Sequence, residues 1–390
     1  MTHATDAAML DSSSPHIEPP PAVRRRKPAL GSDPFALDVP KNRDKDKSKD
    51  KDRIEPDPFL DGLVLLRQTN AVPTQRKPRA GSPRHPAIAI RERTPPKARE
   101  WIDVPELADV ELPDRTSWVD RLLSDEERRR IASIAHLAGG DAAYDRFGLS
   151  ADVVRNTLPI MTALYRIYFR VKSSGHENIP KRGPVIMAGN HAGVMPFDAA
   201  MVVTDLLLQC DPPRLARTVV DRWAGTLPWV NIFYARSGQV IGTRENFADL
   251  LASGQAVVVL PEGMSGALKP FSERYRLQEF RVGFIEQSLA AGAPIVPTAV
   301  VGSDDQMPVL LDLSTFAKKL GLPLFPITPT FPWFGPLGLL PYPVSYQIVY
   351  GEPLRFYERY SAEDARDPEL LRFLSRQVRR AVQRLIDQHR

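Results

Sequence analysis

The sequence predicts an α/β fold with a mostly parallel central sheet flanked by helices. Apolar runs of strand length, rich in β-branched residues, recur at residues 184–188, 216–220, 239–242, 255–260, 293–301 and 345–350. Helical patterns alternate with them, at residues 247–253, 280–291 and 368–390. Strands that alternate with helices favour a parallel sheet covered on both faces.

The chain divides into three predicted parts. Residues 1–100 are rich in proline and charge and hold few large apolar side chains. Such a segment cannot bury enough apolar surface to offset its ordering entropy, so we expect a disordered arm. Residues 101–174 form a predicted helical segment, and residues 175–390 form a predicted α/β domain that ends in an amphipathic helix.

Two helix starts can be read in the middle part. Ser124 and Glu127 have capping-box spacing ahead of an apolar periodic run, which we expect to end at Gly139-Gly140. Ser150 precedes a longer amphipathic pattern that reaches about Val171.

Composition excludes several classes of function. The formal net charge of +5 comes from the arm, and the remainder is close to neutral without a basic, aromatic-interleaved groove, which disfavours nucleic-acid binding. The single Cys210 rules out an intramolecular disulfide and fits a reducing compartment.

The scattered His residues show no ligand spacing, so we expect no metal. No apolar stretch is long enough to span a membrane, and we expect a cytoplasmic protein or one attached peripherally to the cytoplasmic face of a membrane.

The predicted functional centre lies in residues 183–198. A buried strand ends at Asn190-His191, a loop of small residues follows, and Pro196 and Asp198 fall at the start of a helix. A His at a strand's carboxyl end, with a carboxylate on the next helix start, lies where open α/β sheets place their chemistry. The alternative is ordinary: an isolated loop His is often only hydrogen-bonded, and an Asp near a helix start is often a cap.

Two further strand ends point to the same edge. Glu262 and Gly263 follow the strand at residues 255–260, and Arg244 follows the strand at residues 239–242. Because parallel strands share one carboxyl edge, His191, Arg244 and Glu262 are expected to face a common crevice. Arg244 could clamp a phosphate there or serve only as an ion-pair partner.

These residues resemble a known family. Gly189-Asn190-His191 with a following Asp, Gly-x5-Arg at residues 238–244, Pro261-Glu262-Gly263 and Ile295-Val296-Pro297 are similar to the four ordered blocks of the glycerolipid (lysophospholipid) acyltransferases. The resemblance covers about residues 175–301. It implies transfer of a fatty acyl group from an acyl thioester, acyl-CoA or acyl-ACP as co-substrate, to a hydroxyl of a glycerolipid or lysophospholipid, with no other cofactor.

The resemblance also implies roles for single residues. His191 would be the general base, and Asp198 would hold its imidazole tautomer. Arg244, Glu262 and Gly263 would bind the acceptor, and Pro297 would shape the acyl-donor side. The substrate-binding residues predicted in this way are Asn190, Arg244, Glu262, Gly263 and Pro297.

This sequence departs from the family pattern at two places. The usual spacing is His-x4-Asp, whereas six residues separate His191 from Asp198. The third block reads Gly-Met-Ser-Gly after Glu262, where Thr-Arg is usual, so a basic residue is missing; Lys269 and Arg276 are candidates to replace it.

The implied chemistry is reasonable on physical grounds. An alcohol is a poor nucleophile near neutral pH, and a neutral His can remove its proton. Backbone amides at the helix start near Pro196 could stabilise the developing oxyanion.

Two other functions are considered. A hydrolase would need a nucleophile elbow around Ser265, but position 267 holds Ala267 where the motif requires Gly. A non-catalytic membrane adaptor with a degenerate acyltransferase domain is disfavoured because His191, Arg244 and Glu262 are all present.

Three surfaces are candidates for contact with a membrane. They are the Arg-rich helix at residues 368–390, the basic cluster at residues 24–27, and residues 320–351, which carry no charge and are rich in proline and aromatic side chains. The last segment is expected to be either a cover on the sheet or a lipid-facing loop.

Overall fold

The computed structural model describes residues 107–112, 118, 121–134, 144–221, 229–317 and 324–390. The predicted arm, the predicted helix end at residues 139–140 and the basic cluster at residues 24–27 lie outside these residues. In the described part the strands are β1 (Lys172–Ser174), β2 (Val185–Gly189), β3 (Ala216–Val220), β4 (Val240–Ile241), β5 (Ala256–Val259), β6 (Ile295–Val301), β7 (Leu311–Asp312), β8 (Pro326–Ile327) and β9 (Gln347–Tyr350).

The helices in the same part of the chain alternate with these strands over most of its length. They are α1 (Asp125–Ile134), α2 (Ala151–Ala163), α3 (Phe197–Gln209), α4 (Val230–Arg236), α5 (Arg244–Ala252), α6 (Met264–Ala267), α7 (Gly283–Ala291), α8 (Ser314–Ala317) and α9 (Pro368–His389). A π-helical turn, Leu164–Tyr168, continues α2.

The central sheet has seven strands in the order β1-β9-β6-β2-β5-β3-β4. Its neighbours pair in parallel except β6 and β9, which are antiparallel. Val301 at the end of β6 lies opposite Gln347 at the start of β9, so β9 enters the sheet where β6 leaves it and runs back. The predicted α/β class with a mostly parallel sheet is therefore confirmed.

Both faces of the sheet are covered, which explains why its strands are apolar at consecutive positions. One face packs Ile186, Val257 and Ile295 against α5, α7 and α9. The opposite face packs Met187 and Val258 against α3 and the π-helical turn. Alternate residues of β2 and β5 thus enter different cores, which is why both strands are apolar at consecutive positions.

The predicted helix starts agree with the structure. At α1 the amide of Ser124 donates to Glu127 Oε2 at 2.8 Å, and the amide of Glu127 donates to Ser124 Oγ at 3.2 Å, which is the reciprocal capping box. Ser150 is the N-cap of α2 in extended conformation, although its side chain makes no capping hydrogen bond.

The aromatic, uncharged segment has a buried end and an exposed tip in its described part, residues 324–351. Near its end Tyr346 is 1% exposed, and the amide of Tyr342 donates to the carbonyl of Gln306 at 2.7 Å. Its tip instead exposes 75% of Trp333 and most of Phe334 and Leu337. None of the helices in the described residues is long and apolar enough to cross a membrane.

A buried carboxylate joins α3 to the edge of the sheet. Asp205 is fully buried and accepts hydrogen bonds from Tyr350 at 2.8 Å and from Tyr165 at 2.5 Å. Its Oδ2 lies 3.0 Å from Nε2 of His176, and this contact raises the pKa of His176 above 6.5 even though burial of the ring opposes protonation. Protonated His176 therefore forms an ion pair that compensates a buried charge.

The first prediction follows from the raised pKa of His176. A group whose pKa is raised on folding stabilises the native state most below its unfolded pKa, and the effect disappears as pH rises through its folded pKa. We expect His176→Gln to lower the free energy of unfolding by about 1–3 kcal/mol at pH 5.5 and by less above pH 8. Urea unfolding of both proteins across this pH range measures the difference.

The control removes the partner. In an Asp205→Asn background, His176→Gln should lose its pH-dependent effect, because the ion pair no longer exists. A stability difference between wild type and His176→Gln that does not change with pH would contradict the ion pair.

Candidate active site

His191, Asp198 and Glu262 lie together at the edge of the sheet where β2, β3, β4 and β5 end. The parallel register places Ala188 beside Val259 and Val220 beside Ile241, so the loops after these strands leave the sheet side by side. We call this the carboxyl edge. It brings together the segments that carry His191, Arg244 and Glu262, as the sequence predicts.

His191 is held directly by Asp198. The distance from His191 Nδ1 to Asp198 Oδ2 is 2.8 Å. Asp198 is fully buried, and its two oxygens also accept the amides of Ala192 at 2.9 Å and Ala199 at 2.7 Å. A carboxylate that accepts several N–H groups remains an acceptor, so Nδ1 carries the hydrogen and Nε2 keeps its lone pair.

The loop between His191 and Asp198 absorbs the two residues beyond the family spacing. Gly193 adopts φ +79°, and a Cβ there would lie 3.1 Å from Nε2 of Gln306. The amide group of Gln306 also bonds to the carbonyl of Ala192, and the hydroxyl of Tyr346 donates to Gln306. Contacts from the segment after β6 therefore fix this longer loop and bring Asp198 back to the imidazole.

The protonation of His191 reflects two opposing effects. Burial of the ring lowers its pKa, whereas the Asp198 carboxylate, and to a smaller extent Glu262, raise it. The net direction is a pKa above the ordinary value of 6.5. A base of raised pKa is stronger when neutral, but a smaller fraction of it is neutral at neutral pH.

Glu262 holds the backbone of His191. Its Oε1 accepts the His191 amide at 2.9 Å, and its Oε2 accepts the amide of Gln278 at 2.7 Å. Burial raises the pKa of this carboxyl group, against the effect of Lys269 3.8 Å away. Gly266 packs closely against Glu262, since a Cβ at position 266 would lie 2.7 Å from the Cβ of Glu262. Glu262 thus positions the imidazole rather than contacting the space in front of it.

Asn190 also acts through the backbone. Its side chain is fully buried, accepts the amide of Val300 at 2.8 Å, and donates to the carbonyl of Val300 at 3.1 Å and to Ser303 Oγ at 3.0 Å. These bonds use both donors of the amide and tie the end of β2 to β6. We assign Asn190 a positioning role, because these hydrogen bonds occupy its amide oxygen and both of its N–H groups and it does not line the cavity beside His191.

A cavity of about 160 Å³ opens beside His191, and we call it the His191 cavity. The motif after β5 contributes Gly263, whose φ of +55° and ψ of −143° suit glycine. The charged side chains in its described lining are Asp221, which follows β3, and Arg281, which precedes α7. Most of the remaining lining is apolar.

A second cavity of about 180 Å³ lies between α2, α3 and α4, and we call it the apolar cavity. Its walls include Leu158 of α2 and Val203 of α3. It shares Pro196, Thr218 and Tyr234 with the His191 cavity, so the two cavities adjoin at these residues, beside the loop that follows His191.

Two predicted substrate-binding residues lie elsewhere in the structure. Arg244 begins α5, where its Nη1 lies 3.1 Å from Oε1 of Glu286, and it does not line the His191 cavity. Pro297 lies within β6 opposite Ala188, and its carbonyl accepts the amide of Gly351. Of the two roles considered for Arg244, the structure displays the ion pair.

The two candidates for the missing basic residue also lie apart from this cavity. Lys269 is buried and its Nζ is 2.8 Å from Oδ1 of Asp304, whereas Arg276 is exposed. The expected oxyanion amides near Pro196 are partly occupied, since the amide of Phe197 donates to Met195 and that of Ala199 donates to Asp198.

Sequence reasoning missed Asp221 and Arg281. Asp221 directly follows a predicted strand, so the rule that identified His191 and Glu262 would also have identified it. Arg281 has no such signal, because it reaches the cavity only through packing of the 270–282 segment against the motif after β5. A Cβ on Gly263 would lie 3.1 Å from the Cζ of Arg281.

Comparison with known proteins bears on this site. A family model described as Acyltransferase matches residues 170–301, which contain His191, Asp198, Glu262 and Arg281. An uncharacterized protein of Mycobacterium tuberculosis is 38% identical over 252 residues, covering 63% of this chain and 69% of that protein. An uncharacterized protein of Mycobacterium leprae is 37% identical over 249 residues, covering 63% and 68%.

More distant similarities extend to eukaryotes and to a solved structure. The Gallus gallus protein named DGAT1/2-independent enzyme synthesizing storage lipids is 26% identical over 248 residues, covering 62% of this chain and 68% of that protein. The crystal structure of the 1-acyl-sn-glycerophosphate (LPA) acyltransferase PlsC from Thermotoga maritima matches with a TM-score of 0.38 and 17% identity, covering 69% of this chain and 86% of that one. By the family match across the segment that builds the His191 site, and by its extensive similarity to the mycobacterial proteins, this chain belongs to the acyltransferase family.

Proposed function

We propose that the protein transfers a fatty acyl group from an acyl thioester, acyl-CoA or acyl-ACP, to a hydroxyl of a glycerolipid or lysophospholipid, with His191 as the general base. The observation that carries this proposal is the 2.8 Å contact of His191 with buried Asp198 where a partly polar and an apolar cavity meet. A general base needs a fixed ring, a free lone pair and adjacent room for both substrates.

The reaction follows from the geometry of His191. Nε2 accepts the proton of the acceptor hydroxyl while the hydroxyl oxygen attacks the carbonyl carbon of the thioester. The C–S bond of the tetrahedral intermediate then breaks, and the leaving thiolate takes the proton from Nε2. The products are an ester and a free thiol. Asp198 stabilises the transient imidazolium without taking its proton, since its oxygens accept N–H groups throughout.

The two cavities suit the two parts of this reaction. The apolar cavity is lined mainly by aliphatic and aromatic side chains and can hold an acyl chain, which gains about 0.8 kcal/mol for each buried CH₂ group. The His191 cavity adds Asp221 and Arg281, which can hydrogen-bond a polar acceptor. The name of the chicken relative, an enzyme synthesizing storage lipids, supports a glycerolipid product.

Access to a lipid acceptor requires contact with a membrane or lipid surface. We propose peripheral attachment on the cytoplasmic face, with the tip formed by Trp333, Phe334 and Leu337 as one inserted element. These three side chains are between 67% and 75% exposed, and tryptophan and phenylalanine are suited to the interface between headgroups and acyl chains. The arginines of α9 and the basic cluster at residues 24–27 are the electrostatic elements of this attachment.

Replacement of the base should abolish transfer. We expect His191→Ala to lower kcat with a palmitoyl thioester and a glycerolipid acceptor by roughly 10²–10⁴-fold, as is typical for a lost general base. Circular dichroism and thermal unfolding should remain close to wild type. His389→Ala, in the last turn of α9, is the matched control. Activity of His191→Ala within a few-fold of wild type would rule out His191 as the general base.

The pH profile tests the link between His191 and Asp198. Because the neutral imidazole is the active form and its pKa is raised, kcat/KM should rise with pH to a plateau reached above the ordinary His pKa of 6.5. Asp198→Asn removes the carboxylate that raises this pKa, so the rising limb should shift to lower pH and the plateau should fall. The double variant should be hardly slower than His191→Ala alone. An unchanged limb in Asp198→Asn would contradict the coupling.

Attachment to lipid is measured by vesicle co-sedimentation. Replacing Trp333, Phe334 and Leu337 with Ser should weaken binding of the full chain to anionic vesicles at 0.5 M salt, where electrostatic attraction is largely screened. Trp118→Ser, at another strongly exposed aromatic residue, is the control. Binding that disappears with salt in wild type, or that is the same in the triple variant, would show that the tip is not inserted.

A further inference from the structure

The charged side chains that line the His191 cavity indicate which acceptor lipid it can bind. Asp221 and Arg281 both line this cavity, and their side chains are each 35% exposed, with Nη1 of Arg281 3.8 Å from Oδ2 of Asp221. At that distance the two charges largely balance one another. The cavity therefore presents a paired carboxylate and guanidinium, and not a lone cation, to an incoming headgroup.

Arg281 is fixed in place by the motif that follows β5. Its amide donates to the carbonyl of Pro261 at 3.0 Å, and its guanidinium lies over the bare Cα of Gly263. A Cβ at Gly263 would lie 3.1 Å from Cζ and 3.2 Å from Nη2 of Arg281. Moving the guanidinium away from Asp221 to clamp a phosphate would disturb this packing.

The neighbouring cations in the described residues are also balanced. Arg244 faces Glu286, and buried Lys269 faces Asp304 and Glu262. A phosphate monoester carries a charge of about −1.5 to −2 near neutral pH. In the His191 cavity it would meet the like charge of Asp221, and it would have to compete with Asp221 for Arg281. Unfavourable contacts of this kind are how a site excludes a wrong ligand.

From this arrangement we infer that the acceptor is an uncharged glyceride, a monoacylglycerol or a diacylglycerol, and that the Asp221–Arg281 pair selects it over phosphate-bearing lysophosphatidate. The inference rests on the proposed function and specifies its acceptor. A monoacylglycerol keeps a second hydroxyl that can donate to Asp221, and the ester carbonyls of either glyceride can accept from Arg281. Neither contact requires the two charged side chains to separate. The base His191 borders the same cavity.

The experiment compares acceptors on surfaces of equal charge. The full chain is assayed with one palmitoyl thioester and with monoacylglycerol, diacylglycerol or lysophosphatidate in phosphatidylcholine vesicles. Phosphatidate, which has no glycerol hydroxyl to acylate, is added to the glyceride vesicles so that all surfaces carry the same charge. We expect kcat/KM for the better glyceride to exceed that for lysophosphatidate by about tenfold or more, as unfavourable charge placement commonly produces.

The variant Asp221→Asn keeps the shape of the side chain and removes its charge. It should reduce the preference for the glyceride by about tenfold, mainly through faster use of lysophosphatidate, because Arg281 then lacks its competing carboxylate. The control is Asp249→Asn, which removes a carboxylate paired with Arg146 on the exposed surface of α5. The control should leave the preference unchanged.

The possible outcomes distinguish a wrong acceptor from a wrong reaction. A wild-type preference for lysophosphatidate would overturn the inference and leave acyl transfer intact. If Asp221→Asn changed kcat/KM equally for all acceptors, the Asp221–Arg281 pair would act on the thioester donor and not on the acceptor. That result would also overturn the inference. Transfer to none of the acceptors by the wild-type chain would overturn the proposed function itself, and the acceptor with it.

Discussion

Two buried carboxylates fix His191, one through its imidazole and the other through its backbone amide. The rest of the site depends on the contacts that hold these carboxylates in place. Asp198 bonds the imidazole of His191, while Glu262 bonds its backbone amide. Removing a carboxylate from water is costly unless hydrogen bonds or opposite charges replace the lost solvation. Hydrogen bonds meet this requirement for both carboxylates. Asp198 accepts two backbone amides and the imidazole N–H, and Glu262 accepts two backbone amides.

The sheet makes this arrangement possible by bringing distant segments to one edge. Asp198 comes from the helix after β2, Glu262 from the loop after β5, and Gln306, which braces the loop after His191, from the chain after β6. Asn190 adds a bond between β2 and β6 just before the histidine. The imidazole is therefore positioned by backbone and side-chain contacts from several elements.

Charged groups in this protein have separate roles that depend on their partners. Asp205 accepts hydrogen bonds from three side chains near the end of α3 and joins the helix to the sheet, whereas Asp221 lines the cavity beside His191. Arg244 and Arg281 differ in the same way. Arg244 pairs with a carboxylate on α7 outside the cavity, whereas Arg281 pairs with Asp221 within the cavity lining. Residue type alone does not distinguish a binding residue from an ion-pair residue, because the neighbours decide which it becomes.

The sequence by itself determined the α/β class, six strands of the central sheet, the capping box of α1 and the clustering of His191, Asp198 and Glu262. These depend on local patterns: apolar runs, helix starts, and the rule that parallel strands end at one edge. Short β1 carries no apolar run, and the direction of β9 depends on the path of the preceding chain. Only the tertiary structure decided that Asn190 and Glu262 face the backbone, that Arg244 and Pro297 lie off the cavity, and that Arg281 lies on it. The physical reason is that side-chain direction follows from packing between segments far apart in sequence, such as Arg281 over Gly263 and Gln306 against Gly193, which no local pattern encodes.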